Sequence, residues 1–261
     1  MERTSSRPGR SAPRCDGPLA VPRFYVEGPL EASRSVALPE EAAHHAVRVL
    51  RVREGEEITL FNGRGGEYAG RVAAIRKAEV SVALQEHRAV ERESPLRMTL
   101  VQGVSSGERM EFTIRKAVEL GVAEIRPVLA AGSVARPKGE RAAARQAHWQ
   151  RIAISACEQC GRNRIPVVHP LAPAPYRPEP GEASLKLLLS PRAGNALSAS
   201  LPGMLASVCL AAGPEAGFDA AEEAGFLEAG FVPVQMGPRI LRTETAALAA
   251  LAALSALRGD I

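Results

Sequence analysis

Short apolar stretches and partial alternation of hydrophobic and polar residues dominate residues 23–87. RFYV and EITLF are short apolar runs, and GEYAGRVAAI and EVSVALQEH alternate in part, so all four stretches predict β-strands. The segment FNGRGGEY contains an Asn-Gly and a Gly-Gly pair, which are typical of hairpin turns. One helix is predicted in PEEAAHHAVRVLRV, where Pro39 suits the first turn and two glutamates suit the positively polarised end. This part of the chain is therefore predicted to be a small β-rich unit.

From about residue 94 the pattern changes to an alternation of apolar strands and amphipathic helices. Four short stretches rich in aliphatic residues predict strands, namely LRMTLVQG, AEIRPVLA, LKLLLS and SVCLAA. Helices are predicted in SSGERMEFTIRKAVELG, RAAARQAHWQRIAISACEQCG and DAAEEAGFLEAG, and in a last segment from Thr243 to Gly259. Near-continuous apolar strands are typical of a parallel sheet that is covered on both faces. The predicted fold of this unit is therefore α/β with a mainly parallel sheet.

Two of these helices begin with residues at the spacing of a capping box, in which a side chain at the helix start and a glutamate three residues later satisfy each other's backbone N–H groups. The pairs are Ser105 with Glu108 and Asp219 with Glu222. Both pairs predict where their helices begin.

The amino-acid composition indicates the net charge of the protein and the cellular compartment in which it is expected. The chain has 261 residues and a formal net charge of +4, a mild excess that is compatible with nucleic acid as a partner. Its four cysteines are too few and too scattered for a disulfide framework, which indicates a reducing compartment and predicts a cytoplasmic protein. Cys157 and Cys160 have C-x-x-C spacing on one predicted helix face, and no second pair completes a zinc site, so no metal is expected.

The first 20 residues differ from the rest of the chain. They are rich in Arg, Ser and Pro and have no apolar core of the kind that a secretory signal needs, so they are predicted to be a disordered N-terminal extension. No apolar run in the chain reaches the roughly 18 residues of a membrane-spanning helix. A membrane is therefore not among the expected partners.

Two Gly-Pro turns near the C-terminus carry the strongest indication of a binding site. They lie in LAAGPEAGFDAAE and MGPRILRTETA, each between a predicted strand end and a helix, where ligands bind in parallel sheets. The chain has no P-loop, and GRGGEYAG lacks the third glycine of a Rossmann fingerprint. Turns with little side-chain bulk let a flat heterocycle or a polar tail approach the backbone. The residues alone therefore predict a site for a small ligand without identifying it.

The same two segments resemble the C-terminal signatures of the 16S ribosomal RNA (uracil-N3) methyltransferase family, a branch of the SPOUT superfamily of trefoil-knotted methyltransferases. The stretches PRFYV, HHAVRVLRVREGEEI, GERMEFTIRKAVELGV and ACEQCGRNRIPVV are similar to other segments of that family, so the likeness covers roughly residues 22–260. The resemblance implies a PUA-like β-barrel RNA-binding domain at residues 21–92 and a trefoil-knotted SPOUT α/β domain at residues 93–261. It also implies a homodimer whose site is completed across the interface.

The function implied by the resemblance is S-adenosylmethionine (SAM)-dependent methylation of N3 of a uridine in the 16S RNA of the small ribosomal subunit. The residues that the family pattern assigns to the cofactor are Leu189, Ser190, Pro191, Leu210, Gly213, Pro214, Glu215, Gly217, Met236, Gly237, Pro238, Ile240, Leu241 and Thr245. The positions expected to contact RNA are Arg23, His44, Arg48, Arg51, Arg162 and Arg239.

Uracil N3 carries a proton that must leave at or before methyl transfer, so the reaction needs a base or a cation that stabilises the uracil anion. By position and resemblance, Arg242 is expected to stabilise the anion. Glu158 and Glu244 are the candidate bases.

Two alanines depart from the family pattern at the predicted site. Ala216 replaces the first of two paired glycines, where a positive φ would make alanine cost roughly 1 kcal/mol or more, and Ala212 replaces an isoleucine. If these changes closed the pocket, the chain would be a non-catalytic RNA-binding or ribosome-assembly protein. A SPOUT methyltransferase with another RNA target is the remaining alternative.

Overall fold

The structure is a computed structural model that describes residues 21–77, 79–134, 136–258 and 260–261. The N-terminal extension predicted at residues 1–20 lies outside the described residues. Within the described part of the chain, no helix combines the length and the apolar character that crossing a membrane requires.

The N-terminal unit is built on a five-stranded sheet with the order β1-β3-β4-β5-β2. Its strands are β1 (Arg23–Tyr25), β2 (Ser35–Ala37), β3 (Glu57–Phe61), β4 (Glu67–Arg76) and β5 (Glu79–Arg88). The pairs are antiparallel except β1 with β3. Alternate residues such as Ile58, Leu60, Val80 and Val82 are buried in one apolar cluster, as the alternation in the sequence predicts. The closed barrel implied by the resemblance stays a prediction, because the described pairings form an open order.

The helix predicted at residues 39–52 is shorter than expected and changes its geometry midway. The helix α1 spans Glu40–His44 and continues as a π-helical turn over His45–Val49. Arg51 lies beyond the helix end, with a φ of +56°. The sequence places His44, Arg48 and Arg51 on one α-helical face, and this is corrected here, because the wider π turn shifts the register and Arg51 is outside the helix. All three side chains are exposed.

The larger unit is built on a seven-stranded parallel sheet with the order β12-β10-β11-β6-β7-β8, and β9 pairs with β7. The strands are β6 (Arg97–Gly103), β7 (Glu124–Leu129), β8 (Val167–Val168), β9 (Ala172–Pro173), β10 (Leu185–Leu189), β11 (Ser207–Ala212) and β12 (Val232–Val234). The predicted α/β class with a mainly parallel sheet is therefore confirmed.

Helices cover both faces of this sheet and explain its continuous apolar strands. The helices are α2 (Gly107–Glu119), α3 (Glu140–Cys160), α4 (Ala220–Glu228) and α5 (Thr243–Leu257), and Leu197–Ser200 forms a short 3₁₀ turn. Leu210 of β11 packs in the cluster that contains α2, α3 and α5, whereas its neighbours Cys209 and Ala211 pack in the cluster around Phe226 of α4. Successive side chains of one strand thus enter opposite cores. The trefoil knot remains a prediction from the resemblance.

The two predicted capping boxes have different outcomes. At α4, the Asp219 carboxylate accepts the Glu222 N–H at 2.8 Å and the Glu222 carboxylate accepts the Asp219 N–H at 3.0 Å, as predicted. At α2 the helix starts one residue later than the box requires, with Ser106 at the N-cap. Ser105 is instead fully buried, and its hydroxyl has no hydrogen-bond partner among the described residues.

Candidate active site

Three strand ends and two glycine-rich loops enclose a cavity of about 380 Å³. Its lining includes the last residues of the adjacent strands β10, β11 and β12, which are Leu189, Ala212 and Val234. Residues 213–217 after β11 and residues 236–237 and 239–242 after β12 form its walls. The two Gly-Pro turns that the sequence singles out therefore line one cavity at the carboxyl edge of the sheet, where α/β proteins bind ligands.

Most residues that the resemblance assigns to the cofactor line this cavity. They are Leu189, Ser190, Pro191, Gly213, Pro214, Glu215, Gly217, Met236, Gly237, Ile240 and Leu241. Three others do not line it. Leu210 is fully buried inside β11 and belongs to the core, and Pro238 and Thr245 are exposed away from the lining.

The cavity also contains residues that the sequence did not assign to the cofactor. Arg109 reaches it from α2, Val234 from β12, and Thr243 and Ala246 from the first turns of α5. No local pattern marks Arg109, because its place in the lining depends on contact between α2 and a loop about a hundred residues away. For Thr243, the sequence predicts only the start of a helix.

The loop after β11 is tightly folded and depends on glycine at two places. A Cβ on Gly213 would lie 2.9 Å from the Cα of Gly217, and one on Gly103 of β6 would lie 2.4 Å from the Cδ of Pro214. Distances below 3.0 Å would force backbone to move, because both neighbours are rigid. Gly217 itself has a φ of +77° and donates its N–H to the Pro214 carbonyl at 2.8 Å. Residues 214–217 thus form a tight turn that is closed by a backbone hydrogen bond.

Ala216 causes less strain than the sequence predicts. Among the described residues, positive φ outside glycine occurs at Ser33, Arg51 and Lys77, so Ala216 has an ordinary backbone conformation. A Cβ on Gly132 would lie 2.7 Å from the Cβ of Ala216, which means that a glycine in the β7–α3 loop leaves room for this methyl group. Ala212 and Ala216 both line the cavity without filling it. Ala212 and Ala216 therefore do not close the cavity, and the alternative of a closed pocket is not supported.

A buried hydrogen-bond network joins the two loops behind the cavity. The side-chain amide of Gln102 in β6 donates to the carbonyls of Gly103 (3.0 Å) and Gly213 (3.4 Å) and to the Thr243 hydroxyl (3.1 Å). The Thr243 hydroxyl donates in turn to the Gly213 carbonyl. Gln102 and Thr243 are both buried. The first residue of α5 is thereby tied to the first residue of the other loop.

Glu215 ties the same loop to α2. Its Oε1 accepts the backbone N–H of Ser106 at 2.9 Å and a guanidinium N–H of Arg109 at 3.2 Å. Burial alone would raise the pKa of this carboxyl, but the Ser106 and Arg109 hydrogen bonds outweigh it and lower the pKa. A carboxylate from a distant loop thus accepts the N–H of the N-cap residue of α2, which is the role that the predicted capping box gives to Glu108.

Arg242 and Glu244 bring opposite charges to the cavity. Arg242 is exposed at its edge together with Arg239 and Ile240, whose side chain is 86% exposed. Glu244 is half-buried, and its Oε2 is buried without a hydrogen-bond partner among the described residues. An unpaired buried carboxylate oxygen is costly unless a ligand supplies a donor or a positive charge. The cavity therefore fits a ligand that carries cationic or N–H groups.

Glu158 does not lie with Arg242 and Glu244. Its carboxylate accepts the backbone N–H of Tyr25 at 3.0 Å and lines a second cavity, between the N-terminal unit and α3. Within this chain, the candidate base Glu158 thus lies outside the first cavity, and its role as a base stays a prediction.

Two of the arginines expected to contact RNA are tied into the protein interior, and this corrects their predicted role. Arg162 is 4% exposed, donates to the carbonyls of Val118 and Val122, and pairs with Glu93. Arg23 binds Glu67 at 2.6 Å and Asn163 at 2.7 Å. The Arg23 guanidinium joins the two units of the chain, and the Arg162 guanidinium is held within the larger unit. Both groups are occupied by protein acceptors.

This chain is similar in sequence to proteins of known family. Residues 92–255 match the family model of an RNA methyltransferase domain, and residues 38–85 match that of an RNA methyltransferase PUA domain. The chain is 33% identical over 242 residues to the ribosomal RNA small subunit methyltransferase E of Buchnera aphidicola subsp. Schizaphis graminum, covering 92% of this chain and 98% of that protein. It is 32% identical over 256 residues to the protein of the same name from Bacillus subtilis, covering 91% and 99%.

A solved structure gives the same match in three dimensions. The ribosomal RNA small subunit methyltransferase E of Neisseria gonorrhoeae, bound to S-adenosyl methionine, is 42% identical and superposes with a TM-score of 0.84. The match covers 92% of this chain and 99% of that one.

Proposed function

We propose that this chain, which belongs to the family of ribosomal RNA small subunit methyltransferase E, methylates N3 of a uridine in 16S ribosomal RNA. It is a SAM-dependent ribosomal RNA methyltransferase with a PUA-like N-terminal unit. The uridine and its N3 position are inferred from the resemblance of the two C-terminal segments, LAAGPEAGFDAAE and MGPRILRTETA. The observation that carries the proposal is the cavity formed by those same two segments.

The residues of the cavity fit SAM in shape and in charge. Its volume of about 380 Å³ lies within the usual range of small-molecule sites. Leu189, Val234 and Met236 offer apolar surface to a flat heterocycle, and the loops around Gly213 and Gly237 offer backbone polar groups. The unpaired Oε2 of Glu244 suits a cationic ligand. When bound, SAM supplies a methyl group on a positively charged sulfur.

The chain's own residues supply what the acceptor needs. N3 of uracil carries a proton, and the nitrogen becomes a good nucleophile as that proton leaves. Glu244 accepts the proton, because its Oε2 is buried at the cavity without a protein partner among the described residues, whereas the Glu215 carboxylate is held by Ser106 and Arg109. Arg242 lies two residues away at the edge of the cavity and stabilises the negative charge that develops on the uracil oxygens.

Surface arginines and a histidine supply affinity for the RNA backbone in this proposal. Arg48, Arg51, His44 and Arg239 are exposed, and Arg239 also lines the cavity. Guanidinium groups bind phosphates through paired N–H donors. RNA affinity should therefore fall steeply as the salt concentration rises.

A homodimer is part of the same proposal. Ile240 beside the cavity is 86% exposed and Leu257 at the end of α5 is 52% exposed, so apolar side chains remain uncovered next to the site. The alanines of α5 would let a second copy approach closely. Light scattering at micromolar concentration should give twice the chain mass, and the mass of one chain would contradict this part of the proposal.

The catalytic role of Arg242 can be separated from cofactor binding. Arg242→Ala should lower the single-turnover rate of methyl transfer to small ribosomal subunits, by the 10²–10³-fold typical of a lost oxyanion donor. Its affinity for SAM, measured by calorimetry, should change little. Arg242→Lys keeps the charge and should recover part of the rate. Loss of SAM affinity with an unchanged transfer rate would overturn this role.

A further inference from the structure

A second cavity lies where the N-terminal unit meets the helices of the larger unit. It has a volume of about 550 Å³ and is lined by β1 and α1 on one side and by α2 and α3 on the other. Phe24 and Ile152 give it apolar walls, and Tyr25 and His45 bring rings to it. None of its lining residues lines the first cavity. The mechanism proposed above makes no use of this space.

Glu158 is the most buried charged group of this second cavity. Among the residues that the structure describes, one hydrogen bond reaches its carboxylate, from the Tyr25 backbone N–H to Oε1 at 3.0 Å. Burial raises the pKa of this carboxyl, and the Tyr25 N–H and the nearby His45 and Arg23 only partly offset that effect. A ligand that brought further N–H donors would restore hydrogen bonds that the carboxylate lost on leaving water.

Arginines with no ion pair lie at the same cavity. Arg115 of α2 and Arg151 of α3 both line it and are exposed, and neither forms an ion pair with a described residue. His148 lines it as well but is held by Glu111 at 3.0 Å. The two free guanidinium groups suit phosphate oxygens, which they bind in pairs of N–H contacts.

We propose that this second cavity binds one unpaired nucleotide of the RNA substrate. The Glu158 carboxylate accepts N–H donors from the Watson–Crick edge of the base. The base lies against the apolar and aromatic wall, and Arg115 and Arg151 hold the flanking phosphates.

The arrangement combines the three elements by which proteins read single-stranded RNA, which are ring contact, edge hydrogen bonds and phosphate contacts. Guanine fits best among the four bases, because its N1–H and its amino group lie side by side and face a carboxylate together. The inference rests on the proposed function in one respect, namely that RNA is the substrate.

The experiment compares short RNAs that differ in one base. Fluorescence anisotropy measures binding of uridine nonamers with guanosine, inosine or adenosine at the central position. The guanosine RNA should bind about tenfold more tightly than the adenosine RNA. Inosine should fall between them, because its base keeps N1–H and lacks the amino group. Equal affinities for all three RNAs would overturn the proposal.

Variants assign the preference to the cavity. Glu158→Gln keeps an oxygen that can accept the Tyr25 N–H but replaces the other acceptor by a donor, so the preference for guanosine should disappear. Arg151→Ala should weaken the binding of all three RNAs by the same factor. It should also lower the salt dependence of the binding affinity by the equivalent of about one phosphate contact. Glu79→Gln removes an exposed carboxylate at the start of β5, outside the cavity lining, and should keep the wild-type preference. A guanosine preference that persists in Glu158→Gln would contradict the assignment.

These outcomes are separate from those of the proposed function. If the chain methylates small-subunit RNA but shows no base preference in the nonamers, the inference fails and the function stands. If the preference depends on Glu158 but no methyl group is transferred to small subunits, the function fails and the nucleotide site stands.

Discussion

At the scale of single residues, the sequence predicts the walls of the first cavity better than their supports. Gly213, Gly217 and Gly237 lie in tight turns, and a glycine indicates such a turn from the local sequence alone, so the sequence predicts both turns. Gln102 and Thr243 lie 141 residues apart, and their hydrogen bond depends on how the sheet brings β6 next to α5. The residues that flank Gln102 and Thr243 in the sequence do not predict this long-range contact. The sequence does not predict Arg109 as a cavity residue for the same reason, because its contact with Glu215 is also long-range.

Thr243 is predicted to hold the two loops of the cofactor site in register. Thr243→Val keeps the shape of the side chain but leaves the Gly213 carbonyl and the Gln102 amide without this partner, at a cost of about 1–3 kcal/mol. We expect lower stability in urea unfolding and weaker SAM binding in calorimetry. Thr243→Ser keeps the hydroxyl and should behave like the wild type. A valine variant that binds SAM normally would show that the network does not position the loops.

Gly132 and Ala216 are predicted to depend on each other. Gly132→Ala would place two methyl carbons 2.7 Å apart, so the loop must shift, at about 1–3 kcal/mol. Adding Ala216→Gly to that variant removes the second methyl group and should restore both stability and SAM affinity. The non-additivity of the double-mutant cycle measures this coupling. Additive effects of the two substitutions would contradict the contact.

At the scale of elements, long periodic segments were predicted well and short edge elements were not. The helices α2 to α5 and the strands β6, β7, β10 and β11 follow patterns of burial that the sequence carries along their whole length. β12 leads into the second Gly-Pro turn and has three residues with Pro233 at its centre, so no apolar or alternating run in the sequence gives its bounds. Proline is tolerated there because β12 is the edge strand of the sheet. The π turn of the first helix likewise has no signal in the hydrophobic pattern.

Glu215 is predicted to act as the cap of α2 as well as a wall of the cavity. Glu215→Ala removes the acceptor of the Ser106 N–H and should lower the free energy of unfolding by about 1 kcal/mol, the usual cost of a lost cap. SAM affinity should fall with it, because the loop loses its tie to α2. Glu108→Ala is a suitable control, since that carboxylate is exposed in the first turn of the same helix and forms no cap. Equal stability of the two variants would contradict the role of Glu215.

At the scale of the whole molecule, a buried polar cluster fixes the N-terminal unit on the larger one. Glu67 of β4 binds Arg23 at 2.6 Å, Arg92 at 3.2 Å and Asn163 at 3.2 Å, and Arg92 also reaches the Gly161 carbonyl at the end of α3. The family resemblance places Arg23 and Arg162 on RNA, whereas in the folded chain Arg23 joins the two units and Arg162 is buried within the larger one. A sequence cannot distinguish these uses, because a guanidinium group binds carboxylates and phosphates through the same N–H geometry.

The Glu67 cluster predicts a pH dependence of stability. Burial raises the pKa of this carboxyl, but the hydrogen bonds from Arg23, Arg92 and Asn163 outweigh it, so in the folded chain its pKa lies below the usual value of a glutamate. A lowered pKa means that the stabilisation is present at neutral pH and is lost as the pH falls through the folded pKa. Glu67→Gln should therefore cost about 3 kcal/mol at pH 7, because it leaves the largely buried Arg23 guanidinium without its carboxylate partner.

Urea unfolding of wild type and Glu67→Gln at several pH values checks this. The difference between them should shrink as the pH falls through the lowered pKa of the Glu67 carboxyl. Glu57→Gln breaks an exposed pair with Arg71 and should cost less than about 1 kcal/mol at any pH. A difference between wild type and Glu67→Gln that does not change with pH would contradict the lowered pKa.

The identity of the methylated nucleoside tests the central claim most directly. Small ribosomal subunits from cells that lack the equivalent enzyme are incubated with the chain and labelled SAM, and the digested 16S RNA is analysed by mass spectrometry. The proposed function predicts N3-methyluridine at one position, formed more slowly by Arg242→Ala. A methyl group on a ribose hydroxyl or on another base, or no methyl group in a reaction where the chain binds both SAM and the subunit, would contradict it.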